Sequence, residues 1–306
     1  MRRSTELWWP KRNDQAIFFG WDGCERDLTV EMIEDGTLPT LARVASTTDT
    51  SWINATVTDH TTDTRSGWTQ VLTGLCAEVT KVFNNSDWEP IGRPGTIFDV
   101  LKTRDAQTAT ALFSGKAIYS IYPEAGVDYV PPGRRAIRSS SPVYGVPGVP
   151  YGDAENLVNL TCQTIEKHAD DPFFIFIVFY EIDHAGHRHN HASTEYREAM
   201  RMIDDATGQV VSFCEQRDIK PVMLVTTDHG FNKGADHHLH APEIWAAANA
   251  PFKEKGTFYQ LDIFPSLLDV SGIDYRALGN RLGCSFIKPI YSVLARYQMW
   301  QRNGAT

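Results

Sequence analysis

Cysteine is scarce in this 306-residue chain. The five cysteines, at 24, 76, 162, 214 and 284, are widely scattered and form no CxxC pair. That argues against both a disulfide framework and a thiolate zinc site, and for reduced, mostly buried thiols. Long apolar runs are missing as well. No stretch reaches the roughly 18 residues that span a bilayer, so no membrane span is expected. Positive charge is in deficit, with 29 Lys and Arg against 38 Asp and Glu and a net charge of −9. A nucleic-acid polymer is therefore not an expected partner, since such surfaces are basic. The opening "MRRSTELWWPKRND" has no apolar h-region, which leads to the expectation of a cytoplasmic protein. Internal repeats and low-complexity segments are also absent.

What the chain has is ordinary globular composition, 42% hydrophobic and 22% charged, enough for one large domain or two small ones. The patterning alternates strand and helix. "AIFFGWD" (16–22), "WINATV" (52–57), "TATALFS" (108–114), "PFFIFIVFYEID" (172–183), "PVMLVTTD" (221–228) and "EIWAAAN" (243–249) are read as strands. Helices are read over 29–45, 67–75, 95–104, 193–217 and 261–273. The run at 172–183 is apolar on both faces, as a central parallel strand is. The expected fold class is α/β, a mostly parallel central sheet sandwiched by helices. Residues 131–151 are rich in proline and glycine and read as an extended loop.

Three apolar strands run into an aspartate: Asp22, Asp183 and Asp228. One such aspartate is commonly a cap or turn residue. Three at the carboxyl edge of one sheet, where ligand sites gather, repel one another unless cations lie between them. Histidines accompany them. Asp183 and His187 are four residues apart, so one helical turn brings them to one face. Asp228 and His229 leave their strand together, and the window 225–242 holds four of the ten histidines, His229, His237, His238 and His240. Carboxylate with imidazole suits zinc, and also manganese or iron. Two Asp/His pairs, Asp22 and one further histidine supply three ligands to each of two metals. The stretch "TDHTTDTRSGWTQVLTG" (58–74) places hydroxyls just ahead of a helix, where free N–H groups favour an anion.

The order Asp22-Gly23, a threonine ahead of "TG", "DHAGH", "DHG", a later histidine and "DIFPSLLDVSGI" resembles the alkaline phosphatase superfamily. Within it, the chain most resembles the type I phosphodiesterase/nucleotide pyrophosphatase family, from about residue 15 to 285. The resemblance implies an alkaline-phosphatase-like catalytic domain over 1–306, with a loop-rich cap or lid over about 78–151. It implies one ion on Asp183, His187 and a late histidine, and a second on Asp22, Asp228 and His229. Counting ten residues back from Gly74 gives Thr64 as the nucleophile, touching the metals and forming a phospho-threonine intermediate. His238 fits the late ligand best, with His240 as its rival and His237 third. Two divalent ions are implied, zinc or alternatively manganese, with a small-molecule phosphoester as substrate.

The resemblance has one gap. The family carries "TFPNH" at the nucleophile and this chain "TRSGW", so Gly67 stands where an asparagine is expected to bind phosphate. Arg65, Gly67 and Trp68 are the expected substrate contacts, and an arginine there binds extra negative charge. Diester cleavage is the first expectation, with a monoesterase or a phosphotransferase as alternatives. A non-catalytic metal-binding protein is the remaining one. The Cys/Ser-x-Pro-x-Arg pattern of classical sulfatases is absent. Arg134, Arg135 and Arg138 are further candidate anion contacts.

Overall fold

The computed structural model describes residues 14–87, 96–116, 154–252, 258–271 and 273. The expected loop at 131–151, with Arg134, Arg135 and Arg138, and Cys284 lie outside the described residues. So do residues 88–95 of the expected lid and its part beyond residue 116. Its earlier part includes a helix and a strand of the core.

A seven-stranded sheet organises the chain. In chain order the strands are β1 (Gln15–Trp21), β2 (Trp52–Thr56), β3 (Ala109–Ser114), β4 (Phe173–Phe179), β5 (Val222–Thr226), β6 (Glu243–Ala248) and β7 (Phe258–Tyr259). Their spatial order is β3-β4-β1-β5-β6-β2-β7. β1 pairs in parallel with β4 and β5, and β3 with β4. β6 runs antiparallel to both β5 and β2. Two reversals return β2 to the direction of β5, so the carboxyl ends of β1, β2, β3, β4 and β5 share one edge.

The helices are α1 (Arg26–Glu34), α2 (Pro39–Ala45), α3 (Thr64–Thr73), α4 (Ala77–Thr80), α5 (Ile97–Arg104), α6 (Ala154–Lys167), α7 (Glu181–His189), α8 (Thr194–Gln216) and α9 (Ile263–Val270), the last preceded by a 3₁₀ turn at Gln260–Asp262. Period-two alternation distributes the core between the two faces. Ile17, Phe19 and Trp21 of β1 join residues of α1, α2, α6, α7 and α8. Ala16 and Phe18 join α3, α5 and α9 on the other face. Every residue of β4 is buried. Each fully buried Phe, Ile or Val there contributes about 1.5–3 kcal/mol. Among the described residues no helix is long and apolar enough to cross a membrane.

Two expectations need correcting. The helix expected over 29–45 is two helices. Pro39 cannot donate from a helix interior and instead opens α2. The freed N–H groups of Thr40 and Leu41 donate to the Asp204 carboxylate, at 2.9 and 2.7 Å. The strand expected over 172–183 stops at Phe179, where the apolar run ends. Asp183 therefore sits in the first turn of α7, four residues past the strand.

Candidate metal centre and nucleophile

Asp22 follows β1 by one residue. Its backbone N–H donates to Phe179 O at 3.0 Å, and Trp68 Nε1 donates to its Oδ2 at 3.1 Å. Asp228 lies two residues past β5. It accepts from Gly23 N at 3.1 Å, while Gln260 Nε2 donates to its carbonyl at 2.6 Å. His229 Nδ1 contacts Gly230 O at 2.9 Å. A carbonyl there requires the proton on Nδ1, which leaves the Nε2 lone pair available. That Nε2 lies 3.7 Å from Asp22 Oδ1 and 3.5 Å from Asp228 Oδ2. All three side chains are fully buried.

A second triad adjoins the first. Asp183 Oδ1 is 3.3 Å from His187 Nε2, one helical turn on, and 3.6 Å from His238 Nε2. The two Nε2 atoms stand 3.0 Å apart. His187 Nδ1 faces Asp236 O at 2.8 Å, which again places the proton on Nδ1. Thr62 Oγ1 donates to His238 O, and the rings of His229 and His238 stack at 3.9 Å. His238 is buried, whereas His237 and His240 are exposed outside the cluster.

These separations match a cation's needs. A tetrahedral ion with bonds of about 2.0–2.1 Å spaces its ligands by about 3.3 Å. Asp183 Oδ1, Asp228 Oδ2 and His229 Nε2 are buried without a hydrogen-bond partner among the described residues. Leaving a buried polar atom unpaired costs about 1–3 kcal/mol, so three such atoms in adjoining triads call for a common partner. Asp183 with His229 and His238, and Asp22 with Asp228 and His229, each group closely enough to hold an ion.

Thr64 opens α3, and its Oγ1 lies 3.4 Å from Asp22 Oδ1. All ten residues of α3 are buried, although its sequence is largely polar. At Gly67 an added Cβ would lie 2.8 Å from Asp228 Cβ. Close approach to Asp228, with no room for any side chain, accounts for glycine there. Gly23 has φ +68° and an added Cβ would meet Asp183 Cβ at 2.9 Å. Trp68 is buried against Asp22. Arg65 turns to the neighbouring loop, with Nη1 donating to the carbonyls of Asn85 and Asp87. Two residues escaped the sequence reading. Asn85 Oδ1 accepts from Arg65 N at 2.9 Å, beside the start of α3. Lys116 Nζ lies 2.9 Å from Thr64 Oγ1, 3.1 Å from Asp22 Oδ1 and 2.8 Å from Asp183 Oδ2. Its one sequence signal is its place just past the end of β3.

Residues 16–270 match the family model for type I phosphodiesterase/nucleotide pyrophosphatase. The chain belongs to this family. No curated protein sequence matches it significantly. Solved structures share its fold at low identity. Murine ectonucleotide pyrophosphatase/phosphodiesterase 5 is 13% identical with TM-score 0.58, over 89% of this chain and 97% of that one. An inactive threonine-to-alanine form of that protein was solved in complex with AMP. The alkaline phosphatase of the Antarctic bacterium TAB5 is 14% identical with TM-score 0.53, over 85% and 98%, and a histidine variant of it carries Mg in its M3 site. BT4656, solved with its substrate D-glucosamine-2-N,6-O-disulfate, is 12% identical with TM-score 0.60, over 89% and 78%.

In this member of the family the site's charges are strongly perturbed. Burial raises the Asp22 carboxyl, with Lys116 working against it. Burial and then Asp22 raise Asp228 well above the carboxylate range. Asp183 goes the other way. Burial pushes it up, but Lys116, His187 and His229 outweigh that and hold it well below the usual range. The Asp183 carboxylate raises His187. Burial lowers His229, and burial with His229 beside it pushes His238 down to about 3. The neutral imidazoles of His229 and His238 beside crowded carboxylates form a donor set suited to divalent cations.

Proposed function

We propose that the chain is a two-ion phosphoester hydrolase in which Thr64 is the nucleophile. The observation that carries this is the pair of Asp/His triads, with unpaired ligand atoms, converging beside the Thr64 hydroxyl at the start of α3. Asp183, His187 and His238 would hold one ion and Asp22, Asp228 and His229 the other. Zinc suits the donor set, with manganese as the alternative. Bound divalent ions would acidify the threonine hydroxyl and withdraw charge from the phosphoryl oxygens and the leaving oxygen.

The chain's own residues do the rest. Trp68 and Gly23 N–H fix the Asp22 and Asp228 carboxylates, and Gly230 and Asp236 carbonyls fix the tautomers of His229 and His187. The N-terminus of α3 faces the incoming anion with a favourable dipole. Thr64 gives up its proton to solvent, its Oγ bonds to phosphorus and the bond to the leaving alcohol's oxygen breaks. That oxygen takes a proton from water. Water then attacks the phosphorylated Thr64, the Thr64–phosphorus bond breaks, a phosphomonoester leaves from a diester substrate (inorganic phosphate from a monoester), and Thr64 regains a proton.

The inactivity of the murine relative's threonine-to-alanine form supports a threonine in this role. Family membership favours diesters. A monoesterase is the second reading, and Lys116 beside Thr64 favours it. The test is a paired assay on zinc- and manganese-loaded protein, with p-nitrophenyl phosphate, bis-p-nitrophenyl phosphate and thymidine 5′-monophosphate p-nitrophenyl ester. Turnover of at least one, with a phospho-threonine at position 64 trapped by acid quench and seen by mass spectrometry, is the expected result. Turnover without any covalent intermediate would overturn the nucleophile.

A further inference from the structure

We propose that Lys116 is the anion-binding side chain of this active site, and that it directs the enzyme to dianionic phosphoryl groups, the phosphomonoester class. The inference rests on the two-ion reading with Thr64 as nucleophile, and within that reading it selects the monoesterase over the diesterase.

Four observations carry it. First, the ammonium is already in contact with the nucleophile, 2.9 Å from Thr64 Oγ1. A phosphorus atom poised for attack lies about 3–3.5 Å from that oxygen, so the phosphoryl oxygens fall within reach of Nζ. Second, the backbone that carries the lysine is hydrogen-bonded to the sheet and to Ser114. Gly115 N donates to Val178 O at 3.2 Å, Ser114 Oγ donates to Lys116 O at 2.7 Å and it accepts from Lys116 N at 3.4 Å. Third, of the expected substrate contacts, Arg65 directs Nη1 to the carbonyls of Asn85 and Asp87, and Gly67 has no side chain to offer. Fourth, the charge balance leaves Lys116 over. Two divalent ions would balance three aspartates and an ionised Thr64, so the lysine would add one uncompensated positive charge. Asp22 and Asp183, its partners at 3.1 and 2.8 Å, would turn to the ions. Thr64 and the entering phosphoryl oxygens would then be the ammonium's remaining partners. A monoester brings close to two negative charges at neutral pH, where a diester brings one.

Calorimetric binding of inorganic phosphate to the zinc-loaded wild type, Lys116→Met and Lys116→Arg tests this, with bound metal measured on each sample. Lys116→Met is expected to keep two ions and to lose phosphate affinity by about 10- to 100-fold, the worth of one charge-assisted hydrogen bond. Its kcat/KM should fall more for p-nitrophenyl phosphate than for bis-p-nitrophenyl phosphate, and Lys116→Arg should recover most of the phosphate affinity. Unchanged phosphate affinity in Lys116→Met would overturn the inference. So would a lowered melting temperature of the metal-free variant with unaltered phosphate binding, which marks a structural counterion alone. Lost metal in place of lost phosphate affinity would also overturn it. A wild type that takes up no metal would sink the two-ion reading itself, and this inference with it.

Discussion

The two triads draw on the same residue types in opposite proportions and different settings, two aspartates with one histidine in one and one aspartate with two histidines in the other. Asp22, Asp228 and His229 are sealed between strand ends and α3, with side chains 0% exposed. In the other triad His187 stands at 45% side-chain exposure, on a helix beyond the sheet. The inner triad is set by backbone at the carboxyl ends of β1 and β5, and its carboxyls are raised by burial. The outer one depends on a single helical turn and on a loop pinned by Thr62. If the triads hold ions as proposed, the desolvated inner site is expected to bind tightly and exchange slowly, and the open outer site to exchange and admit substrate.

The largest effect should fall where both triads meet. Thr64→Ala is expected to lower turnover on the order of 10⁴-fold or more while two ions remain bound, read by steady-state rates and elemental analysis. Loss of an ion in that variant would give Thr64 a structural part in the inner site. The next contrast separates the triads directly. Asp228→Asn should lose its inner ion, lower turnover by about 10³-fold and resist rescue by added metal. His187→Ala should weaken only the outer ion, by more than the roughly 10- to 100-fold that loss of a supporting outer-shell partner costs, and regain activity in excess metal or imidazole. Metal titration with activity recovery measures both, and equal behaviour of the two variants would break the comparison.

Acidity should act through different groups. Metal must displace a proton from His187, raised by Asp183, and from the raised Asp228 carboxyl. His229 and His238 are held low and remain neutral. Affinity therefore falls as pH falls through the raised His187 value, and His187→Gln should flatten that dependence at the outer site alone, seen by calorimetry across pH. The smallest effects belong to the close approaches. Gly67→Ala presses on Asp228 and Gly23→Ala on Asp183, each at a cost of about 1–3 kcal/mol. Denaturant melts of metal-free protein read the stability. In metal titrations the first should perturb the inner site and the second the outer.

The inner triad was the more legible in sequence. β1 and β5 are buried on both faces, so their apolar runs end sharply and deliver Asp22 and Asp228 to one edge. The outer triad was read from the four-residue spacing of Asp183 and His187, but its element was not. "EIDHAGHRH" has too few apolar residues to declare a helix, and α7 forms because Ile182 and Ala185 pack under α8. Thr64 came from the family resemblance, since a threonine ahead of a helix reads equally well as a cap. Arg65 and Trp68 were expected to meet substrate, yet the structure turns one to loop 85–87 and buries the other against Asp22. Lys116 was silent because a lone lysine past a strand end has no pattern, and only tertiary packing brings it to Thr64.

Anomalous diffraction at the zinc edge from crystals of zinc-loaded protein tests the two-ion claim most directly. The account predicts two peaks per chain, one about 2.0–2.2 Å from Asp183, His187 and His238 and one at the same distance from Asp22, Asp228 and His229, with Lys116 Nζ displaced toward Thr64. A single peak, with Lys116 Nζ still seated between Asp22 and Asp183, would contradict it.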